Sequence, residues 1–362
     1  MRSKTDKRHA GVMTFSRTDK LLSGIGEGHT AFISGYPNIF YYSGFTSSDA
    51  WLIISKNTRM LVTDSRYFVQ ARQQAPEFDI VDYDVGWERI FKDVPERDIC
   101  FEENVMTFGF YSKLHRMAPD KVFHKAQKEI DAPRRYKDKD ELKLIRDAEE
   151  IGSAAFVHML DFMRPGQTER EIALEFEMYM KRQGASGLSF ETIAASGARG
   201  AMPHGVASDK TVERGEMLTL DFGCVFNGYC SDMTRTVVFG APNARQQEIY
   251  DIVLAAQNAV IDGIYKGISC KDADAIARDM IKAAGYGENF GHALGHGVGI
   301  DVHEKPVFSP KSKDVLEDGN VMSVEPGIYI DGWGGVRIED LIAVIDGDIV
   351  NFSSAPKELI RI

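Results

Sequence analysis

A chain of 362 residues is long for a single core and points to two domains; 43% hydrophobic and 27% charged residues describe an ordinary folded protein, neither disordered nor fibrous. The net charge of −11, with 54 acidic against 43 basic residues, argues against nucleic acid or an anionic membrane surface as a partner. Four scattered cysteines (Cys100, Cys224, Cys230, Cys270) are too few for a disulfide framework or a cysteine-rich metal site, so a reducing cytoplasm is the expected location.

The N-terminal stretch MRSKTDKRHAGVMTFSR is basic and lacks the apolar segment of a secretory signal. Residues 1–12 are expected to be a disordered arm or cloning remnant, with Met13 as an alternative start. No later segment has the length and apolarity of a membrane span. Over residues 13–132 the runs TAFISG, NIFYYSGF, AWLIIS, TRMLVTD and FDIVDYD, broken by Gly, Pro, Asn and Ser, read as strands, with a helix-compatible stretch at 67–74. This first domain is expected to be α/β. A charged connector, residues 133–139, leads into a second domain at 140–362.

Asp138 and Glu141 stand at capping-box spacing, and Ile145, Ala148, Ile151, Ala155, Met159 and Phe162 then recur at helical period, predicting a long amphipathic helix. Arg164-Pro165-Gly166 ends it, and Thr168 with Glu171 caps the next, EREIALEFEMYMKRQG. Further helical patterns fall at roughly 243–265 and 271–284. Strand-like hairpins lie between and after these helices, so the second domain is expected to be α+β.

The hairpins carry the chemistry. In LTLDFGCVFNGYCSDMTRT the Asn227-Gly228 pair is a two-residue turn signal. With that turn as centre, Gly223 opposes Asp232, and Asp221 shares a face with Asp232 as a diagonal pair. Both carboxylates sit in apolar strand runs, where they are unfavourable unless paired or bound to metal. In VMSVEPGIYIDGWGGVRIEDLIAVI a loop at 331–335 sets Ile330 opposite Val336, and Glu325 diagonal to Glu339 on a shared face. Arg337 points to that face, where it is expected to hold and neutralise carboxylates. Four converging acids repel unless protonated or bridged by a cation. With one imidazole added, the oxygen-rich set suits two divalent ions roughly 3.5–4 Å apart, Mn²⁺ ahead of Co²⁺ or Zn²⁺, and the expected chemistry is metal-assisted hydrolysis.

Between the hairpins, GHALGHGVGIDVHE places His292 and His296 at the four-residue spacing of a helical zinc pair, but lacks the glutamate of the His-Glu-x-x-His motif. His9, His29, His115, His124 and His158 read as packed or solvated residues.

LDFG, SDMTRT, GHGVG, SVEPGIY and RIED, in that order, resemble the metal-ligand motifs of the creatinase and methionine-aminopeptidase superfamily, the pita-bread metallopeptidases. The resemblance implies a pita-bread catalytic domain at 140–362 behind a creatinase-type N-terminal domain, to which YYSGFTSSDAWLIIS and LVTDSRY are similar. It implies Asp221, Asp232, His296, Glu325 and Glu339 as ligands, with Asp232 and Glu339 bridging two ions. AMPHG (His204), GHALGH (His292) and DVHEKP (His303) resemble the proline-specific branch, aminopeptidase P and prolidase, which cleaves on the amino side of proline. In that branch the positions of His204, His292 and His303 line the substrate site. The implied partner is a proline-containing peptide and the implied assembly a homodimer. Glu325 is expected to accept the water's proton and pass it to the leaving proline nitrogen, with His204 or His303 stabilising the oxyanion. The rival from another class, a non-catalytic peptide-binding protein on the same fold, has no use for a complete ligand set.

Overall fold

The computed structural model describes residues 17–362; the arm expected at residues 1–12, with His9, and the alternative start Met13 lie outside the described residues. The chain divides after Arg134 into two compact units.

In the first unit, strands β1 (His29–Ile33), β2 (Trp51–Ile54), β3 (Arg59–Thr63), β4 (Asp79–Asp82), β5 (Asp98–Phe101) and β6 (Val122–Lys125) form one sheet in the order β4-β3-β2-β1-β5-β6. β1, β5 and β6 run parallel, whereas β1–β2 and β2–β3 are antiparallel. Phe32, Ile53, Val62 and Ile99 pack on Trp87, Phe91 and Leu114 to make its core. One expected strand is a helix. The run NIFYYSGF belongs to Tyr36–Ser43, which has Pro37 in its first turn and Gly44 in left-handed conformation (φ 76°) at its end. Proline at the start and glycine at the end outweigh the strand preference of the aromatic residues between them.

The second unit opens with helix α1 (Lys139–Phe162), followed by α2 (Glu169–Arg182), α3 (Ala244–Gly263) and α4 (Cys270–Ala283). Asp138 and Glu141 form a reciprocal capping box, as do Thr168 and Glu171; Asn243 and Gln246 add a third at α3. Strands β7 (Ile193–Ser196), β8 (Met217–Phe222) and β9 (Met233–Val238) form a sheet with the last strand, Ile360–Arg361. α1 and α2 cover that sheet, burying Phe156, Met159, Phe176 and Met180 against Leu218, Leu220 and Phe222. A second sheet has the order β11-β10-β12-β15-β16, where β10 is Gly295–Gly297, β11 Glu304–Phe308, β12 Val321–Val324, β15 Asp340–Ile345 and β16 Asp348–Asn351. β13 (Gly327–Ile330) and β14 (Gly334–Arg337) pair as a separate ribbon between β12 and β15. α3 and α4 pack on this part through Ile249, Val253 and Ala277 against Met322, Val324 and Ile342. The unit therefore uses one plan twice: two helices pack on a sheet whose strands lead into a hairpin.

Phe222 shows how the plan aims a carboxylate. Its ring stacks on Phe176 at 4.3 Å between centroids and is fully buried, a burial worth about 1.5–3 kcal/mol. Strand alternation then sends the neighbouring Asp221 to the opposite face.

Candidate metal centre

Asn227 (φ 48°) and Gly228 (φ 87°) both take positive φ, as a type I′ hairpin turn requires. Val225 pairs with Cys230 and Phe222 with Met233, so Gly223 and Asp232 stand opposite one another between these pairs, the expected register. Gly223 is obligatory for a spatial reason. A Cβ there would run into the Ser231 carbonyl on the facing strand.

The second hairpin differs from expectation. Its loop is Asp331–Trp333: Ile330 pairs with Gly334 and Gly327 with Arg337, and beyond the ribbon Val324 pairs with Asp340. Glu325 therefore stands opposite Glu339 and is not diagonal to it. The slip from the expected register is two residues, and since side chains alternate with period two, both glutamates keep their shared face.

His292 and His296 do not lie on a helix. His296 is the middle residue of β10, which runs between β11 and β12. The glycines make room: a Cβ on Gly295 would strike the Ser323 carbonyl, one on Gly297 the Lys305 carbonyl, and one on Gly299 the Glu304 carboxylate.

These strands converge on one cavity of about 340 Å³, lined by Asp221, Asp232, His296, Glu325, Arg337 and Glu339 and also by His204, His292 and His303. The His296 Nδ1–H donates to the Gly297 carbonyl (3.1 Å), which turns Nε2 toward Glu325 Oε1 at 3.3 Å and Asp232 Oδ2 at 3.5 Å. Donor atoms of Asp232, His296 and Glu339 all lie within 4.8 Å of one another. Arg337 donates to Asp221 Oδ2 (2.7 Å), while Asp221 Oδ1 is buried without a hydrogen-bond partner among the described residues. Thr234 Oγ1 donates to Glu339 Oε2 (2.7 Å), and the Asp232 backbone N–H donates to Glu149 (3.2 Å).

The charges are out of balance in the way a cation corrects. Burial, reinforced by their carboxylate neighbours, pushes Asp232 and Glu339 well above the usual carboxylate range. Burial also raises Asp221, against the pull of Arg337. Glu325 goes the other way: burial would raise it, but the hydrogen bond and charge of His296 hold it down at about 2. An orphaned buried oxygen and mutually repelling acids, with the Nε2 of an imidazole aimed among them, fit a divalent cation.

The three remaining histidines differ. His292, which lines the cavity, has both ring nitrogens engaged, with Nδ1–H donating to the Ala293 carbonyl (2.7 Å) and Nε2 accepting from the Tyr329 hydroxyl (2.9 Å). The His303 ring lies 4.3 Å from that of His296. His204 is exposed at the cavity mouth. Sequence reasoning missed Tyr329, Thr234 and Glu149. Thr234 was within reach of it, standing two residues after Asp232 on the same strand face; Glu149, on a distant helix, has no local signal.

Residues 143–346 match metallopeptidase family M24, and residues 27–135 match the creatinase/prolidase N-terminal domain. The peptidase YqhT of Bacillus subtilis is 42% identical over 91% of this chain and 94% of its own. Among solved structures, a Xaa-Pro dipeptidase from Bacillus anthracis superposes with a TM-score of 0.93 at 40% identity, covering 96% of this chain and 100% of that one. An X-Pro aminopeptidase from Thermotoga maritima superposes with a TM-score of 0.88 at 36% identity, again covering 96% and 100%.

Proposed function

The chain belongs to metallopeptidase family M24, and from that premise we propose that it is a divalent-metal exopeptidase hydrolysing the Xaa-Pro bond at the N-terminus of peptides. The observation that carries this reading is the convergence of Asp221, Asp232, His296, Glu325 and Glu339 on one cavity, with a buried oxygen of Asp221 left unpaired. These five residues would hold two ions, which when bound supply Lewis-acid polarisation of the scissile carbonyl and acidification of a water. Four carboxylates to one imidazole is a hard donor set, which favours Mn²⁺.

The chain's own groups do the rest. Glu325, held by Ser323 Oγ (3.1 Å) and His296, takes the proton of the attacking water and returns it to the leaving proline nitrogen. His303 and His204 offer ring N–H donors to the carbonyl oxygen as charge develops on it. Arg337 orients Asp221 and opposes the burial that raises it. Proline's amide nitrogen carries no hydrogen, so the site owes it no acceptor. Four buried, unpaired cysteines suit a reducing cytoplasm. Among the described residues no helix is long and apolar enough to cross a membrane.

Two readings differ in substrate length, an aminopeptidase P-like enzyme and a Xaa-Pro dipeptidase, and the similar proteins carry both names. Stripping the metal should abolish hydrolysis of Xaa-Pro substrates and Mn²⁺ should restore it; turnover in exhaustive chelator overturns the proposal. The ratio of Xaa-Pro-Yaa to Xaa-Pro hydrolysis then assigns the length, a tripeptide preference marking the aminopeptidase.

A further inference from the structure

The N-terminal unit contains a second group of metal-ligating side chains, which the proposed peptidase reaction does not use. His29 opens β1 and pairs in register with Asp98, which opens β5. Asp98 pairs in turn with Val122 on β6, so His124, two residues further along, projects from the same sheet face. Donor atoms of His29, Asp98 and His124 lie within 4.8 Å of one another, and all three residues are half-buried.

Their orientation is specific. His124 Nε2 sits 2.6 Å from Asp98 Oδ1, and the two imidazole rings meet edge-on at 5.7 Å between centroids. His29 Nδ1 lies 3.2 Å from the Glu27 carbonyl. That oxygen can only accept, so Nδ1 carries the proton and Nε2 is left with its lone pair. An imidazole anchored by one nitrogen to a backbone carbonyl is the usual arrangement of a metal-ligating histidine.

We propose that His29, Asp98 and His124 bind a borderline divalent transition metal, Zn²⁺ foremost, with water completing a four-coordinate shell. Two imidazoles and one carboxylate suit such an ion better than Mn²⁺, whereas the four-carboxylate set of the catalytic unit has the opposite bias. To bind the ion, His124 Nε2 gives up its hydrogen bond to Asp98 Oδ1, and both atoms turn their lone pairs to the metal. The site ties the edge strand β6 through β5 to β1, which gives the ion a structural role. On this proposal His29 and His124, which the sequence suggests are packed or solvated residues, act as ligands.

The test is Zn²⁺ stoichiometry of the metal-stripped full chain, by equilibrium dialysis with elemental analysis, for the wild type and the His29→Gln/His124→Gln double variant. The variant should bind one Zn²⁺ per chain fewer while its Mn²⁺-dependent peptidase activity stays at the wild-type level. Asp98→Asn alone should weaken the additional Zn²⁺ by at least about tenfold. Equal stoichiometry in the wild type and the double variant overturns the proposal; if the double variant fails to fold, an unchanged Zn²⁺ affinity in Asp98→Asn does so. The ion count is read without peptide, so it stands or falls separately from the proposed hydrolysis.

Discussion

Arg337 is only 3% exposed, yet it keeps a full charge inside the catalytic unit because its guanidinium is saturated on several sides. It donates to Asp221 (2.7 Å), the Tyr329 hydroxyl (2.8 Å), the Pro203 carbonyl (3.2 Å) and Thr234 Oγ1 (3.0 Å). Through Tyr329 it also sets the ring of His292, and through Thr234 it shares a partner with Glu339. Arg337→Met removes the cation and leaves Asp221 buried with both oxygens unpaired, so it should lower the unfolding free energy by about 3–5 kcal/mol in urea titrations. Arg337→Lys retains the charge but lacks the planar fork that reaches Tyr329 and Thr234 together. It should recover most of the stability and little of the turnover. A Met variant as stable as wild type would show that the Asp221–Arg337 pair does not set the charge balance at this site.

At the scale of elements, the two hairpins are what convert scattered acids into a centre, and their glycines divide the labour. Gly228 has φ 87°, so Gly228→Ala strains the turn tip by about 1–2 kcal/mol. Gly223→Ala instead drives a methyl into the Ser231 carbonyl, next to Asp232, and must part the strands where Asp221 and Asp232 converge. Metal content and kcat/KM should therefore collapse in Gly223→Ala and survive in Gly228→Ala; full metal loading of the Gly223 variant would refute this division. The same hairpins mark how far sequence reaches. Asn-Gly fixes a two-residue turn, and the first register was readable to the residue. The Asp331–Trp333 loop has no such signature, so the second register slipped by two, which alternation rendered harmless to the face of Glu325 and Glu339. The four-residue spacing of His292 and His296 imitated a helix because spacing alone does not reveal that Gly295 and Gly297 admit a strand pressed between two others. Tyr329, Glu149 and the row of His29, Asp98 and His124 stayed hidden, because their meaning lies in which distant segments become neighbours.

For the whole molecule, the buried acids make metal a folding partner of the catalytic unit as well as an element of its chemistry. Without a cation, Asp232 and Glu339 are driven toward the protonated form by burial and mutual repulsion, and Asp221 keeps an unpaired buried oxygen. An ion that binds only the folded state stabilises it by about 2.7 kcal/mol when present at a hundredfold its dissociation constant. In a unit of this size that corresponds to a rise in thermal midpoint of roughly 5–11 °C. Mn²⁺ should produce that rise in calorimetry of the stripped chain, and hydrogen exchange should locate its origin. Amide exchange should slow in Met217–Val238 and Val321–Ile345, which carry the carboxylates, and stay unchanged across β1 to β6, whose imidazole-rich group disfavours the harder ion. Replacing Mn²⁺ with Zn²⁺ should extend the protection to β5 and β6. Protection by Mn²⁺ spread evenly over both units, or a midpoint indifferent to either ion, would mean that the acids are accommodated by the protein alone and that the sorting of the two ions by donor chemistry is mistaken.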